Sequence, residues 1–203
     1  IICSQTSYAE SGYEVFIIKT MKNLIFKTAL IIIIISGNCR SQSAFDWAKS
    51  YNPTSIHSQS ANDIAAGADG ASYVLGYNSR GYNGTDVALI KYSADGKLRW
   101  ARSFDGGNEN NSDIGKSAAV FNSGINYFIY AACDISVSGY GNQAGLLKYD
   151  SAGNLLWSKY IATGVNSTVT KLTLDISGNI YIAGGTSSQP YILKFNSNGD
   201  TLC

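Results

Sequence analysis

Apolar residues along this chain fall in short runs broken by glycine-bearing polar turns, and long stretches with a helical period are few. The runs predict strands over 63–68, 72–77, 86–92 and 97–103, then over 114–121, 126–134, 144–149 and 154–161, then over 169–175, 179–184 and 191–195. A fourth strand of the last group is expected to begin where the sequence ends. Three stretches set the phase of this pattern: KYSADGKLRW at 91–100, KYDSAGNLLW at 148–157 and KFNSNGDTLC at 194–203. Each has a lysine-aromatic pair, a glycine four residues after the aromatic, and an apolar residue four further on. Gly96, Gly153 and Gly199 are therefore expected to close tight hairpins, with the flanking aromatic residues on the two joined strands.

Aligned on this motif, Trp47, Trp100, Trp157 and Cys203 stand at intervals of 53, 57 and 46 residues, a period in the range of propeller blades. A second landmark runs in phase with it: Gly70 with Tyr73, Gly124 with Tyr127 and Gly178 with Tyr181, each a glycine turn feeding a strand with tyrosine three residues on. Each group reads as an antiparallel meander too small to cover both of its own faces, so successive groups must stack. The small residues of DIAAGA (63–68) and KSAAV (116–120) suit a crowded inner strand. The expected fold is all-β: a β-propeller segment of about three four-stranded antiparallel blades, over about 45–97, 98–154 and 155–203, read as an incomplete ring with open sheet edges. Trp100 and Trp157 are expected in equivalent buried positions between sheets.

Composition narrows the field. Twenty-one glycines and fourteen tyrosines fit a protein of many short strands and turns. A net charge of +1 with only 14% charged residues leaves no electrostatic footprint for nucleic acid. With four cysteines, of which Cys3 and Cys39 precede the repeats, no disulfide framework is expected, and Cys133 and Cys203 are expected as buried free thiols.

The only methionine, Met21, opens MKNLIFKTALIIIIISGNCRSQSAF, with a basic start, an apolar run at 29–35 and small polar residues after it. This is the layout of a secretory signal peptide at 21–43, with 1–20 expected upstream of the natural start and the repeats filling 44–203. Lys27 keeps the apolar run short of membrane-spanning length. Cleavage after Ser43 would use Ser41 and Ser43. Alternatively, SGNC resembles a relaxed lipobox, with the signal ending at 38 and Cys39 acylated, although Ser36 and Asn38 depart from its pattern. Lipidation at Cys39 is the expected exit, and it would be the chain's one route to a membrane.

The stretches GNIYIAGGTSS, YILKFNSNGD and GLLKYDSAGNLLWSKY resemble the SBBP type of bacterial β-propeller repeat. In that family a glycine turn, a tyrosine strand, a lysine-aromatic strand, a second glycine turn and a tryptophan strand follow one another. The resemblance covers about 45–203; the second repeat lacks the glycine after its tyrosine strand, and the last carries cysteine in the tryptophan place. It implies an exported propeller, often in cell-envelope lipoproteins, with no general activity attached to the repeat.

Candidate chemistry is sparse. The loop 105–113 gathers Asp105, Asn108, Glu109, Asn110 and Asp113, but without the alternate ligand spacing of a calcium loop, so no metal is expected. Asp63 and Asp113 precede inner strands and read as turn-bonding residues. His57 is the only histidine, which excludes a histidine zinc cluster and would leave a Ser-His-Asp triad resting on one loop residue. GYGNQAG (139–145) has the wrong glycine spacing for a dinucleotide loop, and a strand follows it. Asn83, Asn110 and Asn166 begin glycosylation sequons, relevant only in a eukaryotic secretory pathway. SADGKLRW is similar to the Asp box of sialidases, but Asp95 and Gly96 are adjacent where that motif needs a residue between them. The Gly-to-Trp spacing of quinoprotein propellers also occurs, without their threonine before the glycine.

No catalytic residues and no cofactor are assigned. The reading is a non-enzymatic binding or scaffold module at the cell envelope or outside the cell. A protein or glycan ligand would meet Tyr77, Tyr82 and Tyr140 in or beside the two longest connections, 78–85 and 135–143. The rival readings are a fragment of a carbohydrate-active or quinone-dependent propeller enzyme whose catalytic residues lie in other blades, and a purely structural surface protein.

Overall fold

The computed structural model describes residues 48–51, 58–79, 84–106, 111–161 and 166–202. Met21 with its apolar run, Cys39, Trp47, His57, Tyr82, the loop residues Asn108, Glu109 and Asn110, and Cys203 lie outside the described residues.

Among the described residues, eleven strands form three antiparallel sheets, each in sequence order. The first holds β1 (Gln59–Ala66), β2 (Ser72–Ser79), β3 (Thr85–Tyr92) and β4 (Leu98–Phe104). The second holds β5 (Ile114–Asn122), β6 (Tyr127–Val137), β7 (Gly141–Asp150) and β8 (Leu155–Ile161). The third holds β9 (Ser167–Leu174), β10 (Ile180–Thr186) and β11 (Pro190–Phe195). The bridge Phe195 to Thr201 repeats the register of Tyr92 with Leu98 and of Tyr149 with Leu155, so the fourth-strand place of the third sheet opens at Thr201. This is the architecture of a β-propeller segment, with no ring closed among the described residues.

The corners follow from local chemistry. Asp150 accepts from the backbone N–H groups of Ala152 and Asn154, Asp175 from those of Ser177 and Asn179, and Asn196 from those of Asn198 and Asp200. Each short side chain thus caps its own turn, and a glycine at φ near +80° completes it: Gly153, Gly178 and Gly199. The three innermost strands share one irregularity. Asn62, Lys116 and Thr170, 54 residues apart, are each skipped in the pairing of their strand with the next.

Two apolar cores separate the three sheets. Tyr73, Leu75, Val87 and Leu89 on the front of the first sheet meet Ile129, Ala131, Cys133, Ile135, Leu147 and Tyr149 on the back of the second. Tyr130, Ala132, Ala144 and Leu146 on the front of the second meet Leu172, Ile180, Ile182 and Phe195 on the back of the third. Covered on both sides, β6 and β7 carry unbroken buried runs, whereas β11 alternates between exposed and covered positions. In each case the leading strand of the following sheet lies across the preceding one: β5 contacts β2 and β3, and β9 contacts β6 and β7.

Two expectations need correction. The connection over 135–143 is a tight hairpin, because β6 runs on to Val137 and β7 begins at Gly141, with Tyr140 N–H bonded to the Val137 carbonyl. The tyrosine equivalent to Tyr73 and Tyr181 is Tyr130, not Tyr127. Tyr73 faces Lys91, Tyr130 faces Lys148 and Tyr181 faces Lys194, because the β5–β6 hairpin extends farther past the shared register before it turns. Spacing from the glycine misled, because hairpin length varies while the lysine-tyrosine pairing does not.

Candidate functional site

The repeated motif is built as a latch between sheets. Trp100 and Trp157 occupy equivalent half-buried places, tilted 53° and 54° against Tyr73 and Tyr130 with ring centroids 6.0 and 6.1 Å apart. Over each tryptophan sits the next sheet's corner glycine: a Cβ on Gly153 would stand 2.8 Å from Trp100, and one on Gly199 would stand 3.0 Å from Trp157. The cation two residues after each tryptophan reaches the same corner. Arg102 Nε donates to the Gly153 carbonyl at 2.7 Å, and Lys159 Nζ donates to the Gly199 carbonyl at 2.7 Å and pairs with Asp200 at 3.1 Å.

The lysine of the lysine-aromatic pair has the matching duty two residues earlier in the corner. Lys91 Nζ donates to the Ser151 carbonyl at 3.3 Å, and Lys148 Nζ donates to the Ser197 carbonyl at 2.8 Å. Lys148 stands among the rings of Phe128, Tyr130 and Trp157, 4.3, 5.2 and 6.0 Å from their centroids. Burial there draws its pKa below the usual lysine value, and the same burial pushes the Tyr130 phenol up to about 12. These shifts belong to packing between sheets, not to a cleft poised for proton transfer.

Tyr73 and Tyr130 differ in one respect that gives a test. Tyr130 Oη donates to the Ser197 carbonyl at 3.2 Å, whereas the buried Tyr73 hydroxyl has no partner among the described residues. Removing a satisfied hydroxyl costs stability, and removing an orphaned one relieves a desolvation penalty. Tyr130→Phe is therefore expected to lose about 1 kcal/mol, and Tyr73→Phe to be neutral or gain up to about 1 kcal/mol. Urea unfolding of the two variants side by side checks this, and equal losses would contradict it.

Two carboxylate settings lie away from the corners. The residue after each inner-strand bulge, Asp63, Ser117 or Lys171, converges with its equivalents. Asp63 Oδ2 accepts from Ser117 Oγ at 2.8 Å, from the Ala118 N–H at 2.9 Å and from Lys171 Nζ at 2.9 Å, joining all three sheets. Burial raises the Asp63 pKa, but the bonds from Lys171, Ala118 and Ser117 outweigh it and hold the carboxyl below its usual range. At the other end of the sheets, buried Asp113 accepts from the N–H groups of Gly106 and Ser136. Burial, with repulsion from Asp105 and Asp86, lifts it above its usual range against those bonds. Burial, then Asp113 and Asp134, push the enclosed Cys133 thiol well up, which makes it unreactive. Among the described residues no group of three or more His, Cys, Asp or Glu side chains could hold a metal.

Of the tyrosines singled out in the sequence, Tyr77 lies half-buried on β2 opposite Val87, and Tyr140 stands 64% exposed at the tip of the β6–β7 hairpin. They sit at the same end of neighbouring sheets. Sequence reasoning took Lys91 and Lys148 only as motif letters; their recurrence beside an aromatic was the signal that they act as latches.

The fold and the latch define a repeat protein of the β-propeller class, in which the recurring letters of the repeat hold sheet to sheet. No curated protein matches the chain. The model of the SBBP β-propeller repeat matches residues 156–192, and that stretch carries the repeat. The matched stretch straddles two sheets, from β8 at the outer edge of the second, through β9 and β10, into β11 of the third.

Proposed function

We propose that the chain is an exported cell-envelope module that binds or scaffolds a protein or glycan and carries out no reaction itself, with Cys39 as its lipid attachment. The observation that carries this reading is the contrast between the two ends of the sheets. At the corner end, the repeated polar groups are spent on neighbouring sheets. The opposite end differs from repeat to repeat, and there Tyr140 projects between Gly139 and Gly141, both at positive φ.

A tyrosine on a glycine-flanked tip offers a flat apolar face and a hydroxyl at low entropic cost, a combination suited to sugar rings and protein surfaces. The adjoining polar groups are already set: the Asn142 N–H donates to Asn166 Oδ1 at 2.8 Å, and Gln143 Nε2 donates to the Tyr140 carbonyl at 3.1 Å. Screening against a glycan array and an envelope extract, with Tyr140→Ala alongside, tests the reading. The variant is expected to bind the captured ligand at least about tenfold more weakly with an unchanged melting temperature. Undiminished binding would remove Tyr140 from the site, and turnover on a sugar or alcohol panel would replace the binding role with the enzyme reading.

A further inference from the structure

The innermost hairpin of the second sheet overhangs the corner end. The hairpins on either side turn after the pairs Ala66–Ser72 and Leu174–Ile180, whereas β5 and β6 pass the matching pair, Val120–Ile129, and go on through Phe121–Phe128 and Asn122–Tyr127. At the rise of a strand, this hairpin stands about 5 Å proud of its neighbours. Its tip touches nothing: a Cβ on Gly124 would meet no atom within 4 Å, and Ile125 is 92% exposed. Phe121 and Phe128 on one face, and Tyr127 on the other, are half-buried beneath it. The next tip lies alongside, since a Cβ on Gly178 of the β9–β10 turn would stand 2.8 Å from the Phe121 ring, and that turn carries the fully exposed Ile176.

Neither isoleucine is open for want of a neighbouring sheet. The places matching Ile176, Ala68 in the first sheet and Asn122 in the second, are exposed although another sheet packs after each, and Ile125 belongs to the sheet covered on both faces. Charge is divided along the same axis. Of the charged residues on and beside the strands, the far end holds Asp86, Asp105, Asp113 and Asp134 with Lys116. At the corner end lysine and arginine outnumber aspartate among the described residues, and the aspartates cap turns or pair with lysine, as Asp150, Asp175 and Asp95 do, while Lys97 and Arg99 are exposed. Two aliphatic side chains on narrow convex tips give a folded partner little to cover, since a stable protein interface takes roughly 800 Å² from each side. Fluid acyl chains close around such tips from every direction. A tyrosine below the tip suits headgroup depth, and cations beside it suit anionic headgroups.

We propose that the corner end faces an anionic lipid bilayer: Ile125 and Ile176 insert among the acyl chains, Tyr127 lies at headgroup depth, and Lys97 and Arg99 meet the phosphates. The proposal rests on the envelope setting proposed above and not on acylation at Cys39. It turns Tyr140, at the opposite end of the sheets, away from the lipid.

Tryptophan fluorescence of the full chain tests this, with the wild-type emission subtracted. Ile125→Trp is expected to shift to shorter wavelength on adding vesicles of phosphatidylglycerol and phosphatidylethanolamine, and to be quenched when their acyl chains carry bromine. Tyr140→Trp, on an exposed tip at the other end, is expected to do neither. Adding Ile176→Asp to Ile125→Trp is expected to raise the lipid needed for half-maximal quenching at least about tenfold, the worth of one isoleucine moved from lipid to water. Vesicles of phosphatidylcholine alone are expected to raise it about as much. The three substituted side chains are exposed, so the circular dichroism is expected to stay that of the wild type; Ile176→Ser replaces the aspartate should that variant misfold. An unquenched tryptophan at position 125, equal quenching at 125 and 140, or a lipid requirement unmoved by Ile176→Asp or by removing the anionic lipid would each overturn the proposal. A chain that floats with the vesicles while position 125 stays unquenched would strike this surface and leave the lipid attachment at Cys39 standing.

Discussion

Gly153→Ala is expected to lower stability by about 2–4 kcal/mol, the sum of a left-handed backbone forced on an L-residue and a methyl driven into a filled space. Gly153 has φ 83°, and a Cβ there would lie 2.8 Å from the Trp100 indole and 3.2 Å from Arg102 Nε. Neither neighbour yields readily, since Trp100 is packed at a tilt against Tyr73 and Arg102 is bonded to the carbonyl of the same glycine. Gly124→Ala supplies the control. Its φ of 94° imposes similar backbone strain, but nothing lies within 4 Å of the added carbon, so the expected loss is about 1 kcal/mol. Urea denaturation measures both. Equal losses would mean that the corner glycines matter for the turn alone and not for the contact between sheets.

Asp63→Ala is expected to cost about 2–3 kcal/mol at neutral pH, because Ser117 Oγ and the Ala118 N–H lose their acceptor inside the fold. The bond to Lys171 adds little, since that ammonium is largely solvated. A carboxylate depressed in the folded chain contributes fully above its unfolded value near 3.8 and loses that contribution as pH falls through the lower folded value. The gap between wild type and variant should therefore hold from neutral pH down to about 4 and close below it. Asp113 and Asp134, raised in the folded chain, act in the opposite sense: protonating them on the way down through their raised values favours the folded state. Wild-type stability is thus expected to hold or rise slightly before the acid loss begins. Melting temperatures of the two proteins across pH 3 to 7 check this, and a gap that stays constant below pH 3.8 would contradict it.

The strands and their grouping were legible because glycine turns and short apolar runs are local signals. KYDSAGNLLW carries its own hairpin, cap and strand partners within ten residues. What the sequence hid depends on neighbours distant along the chain. Tyr127 looked equivalent to Tyr73 by its distance from a glycine, but cross-strand pairing with Lys148 makes Tyr130 the equivalent. The convergence of Asp63, Ser117 and Lys171 was invisible for the same reason, since one aspartate, one serine and one lysine share no letter, and only the common bulge brings them together. Of the candidate ligand-contact residues, Tyr140 has a setting the sequence did not show: expected in or beside a long connection, it crowns a tight hairpin, because β6 and β7 keep pairing well past their apolar runs.

The offset between the matched repeat and the sheets bears on how such a chain grows. One unit of sequence, beginning in β8 and ending in β11, delivers the outermost strand of one sheet and the inner three of the next. Duplicating or deleting a whole unit therefore leaves the severed sheet with a new outer strand of the same kind, bearing the same tryptophan and cation for whatever corner follows. Lineages can change the number of units without inventing a new junction, and the number itself is left free to drift until some partner or ring geometry selects it.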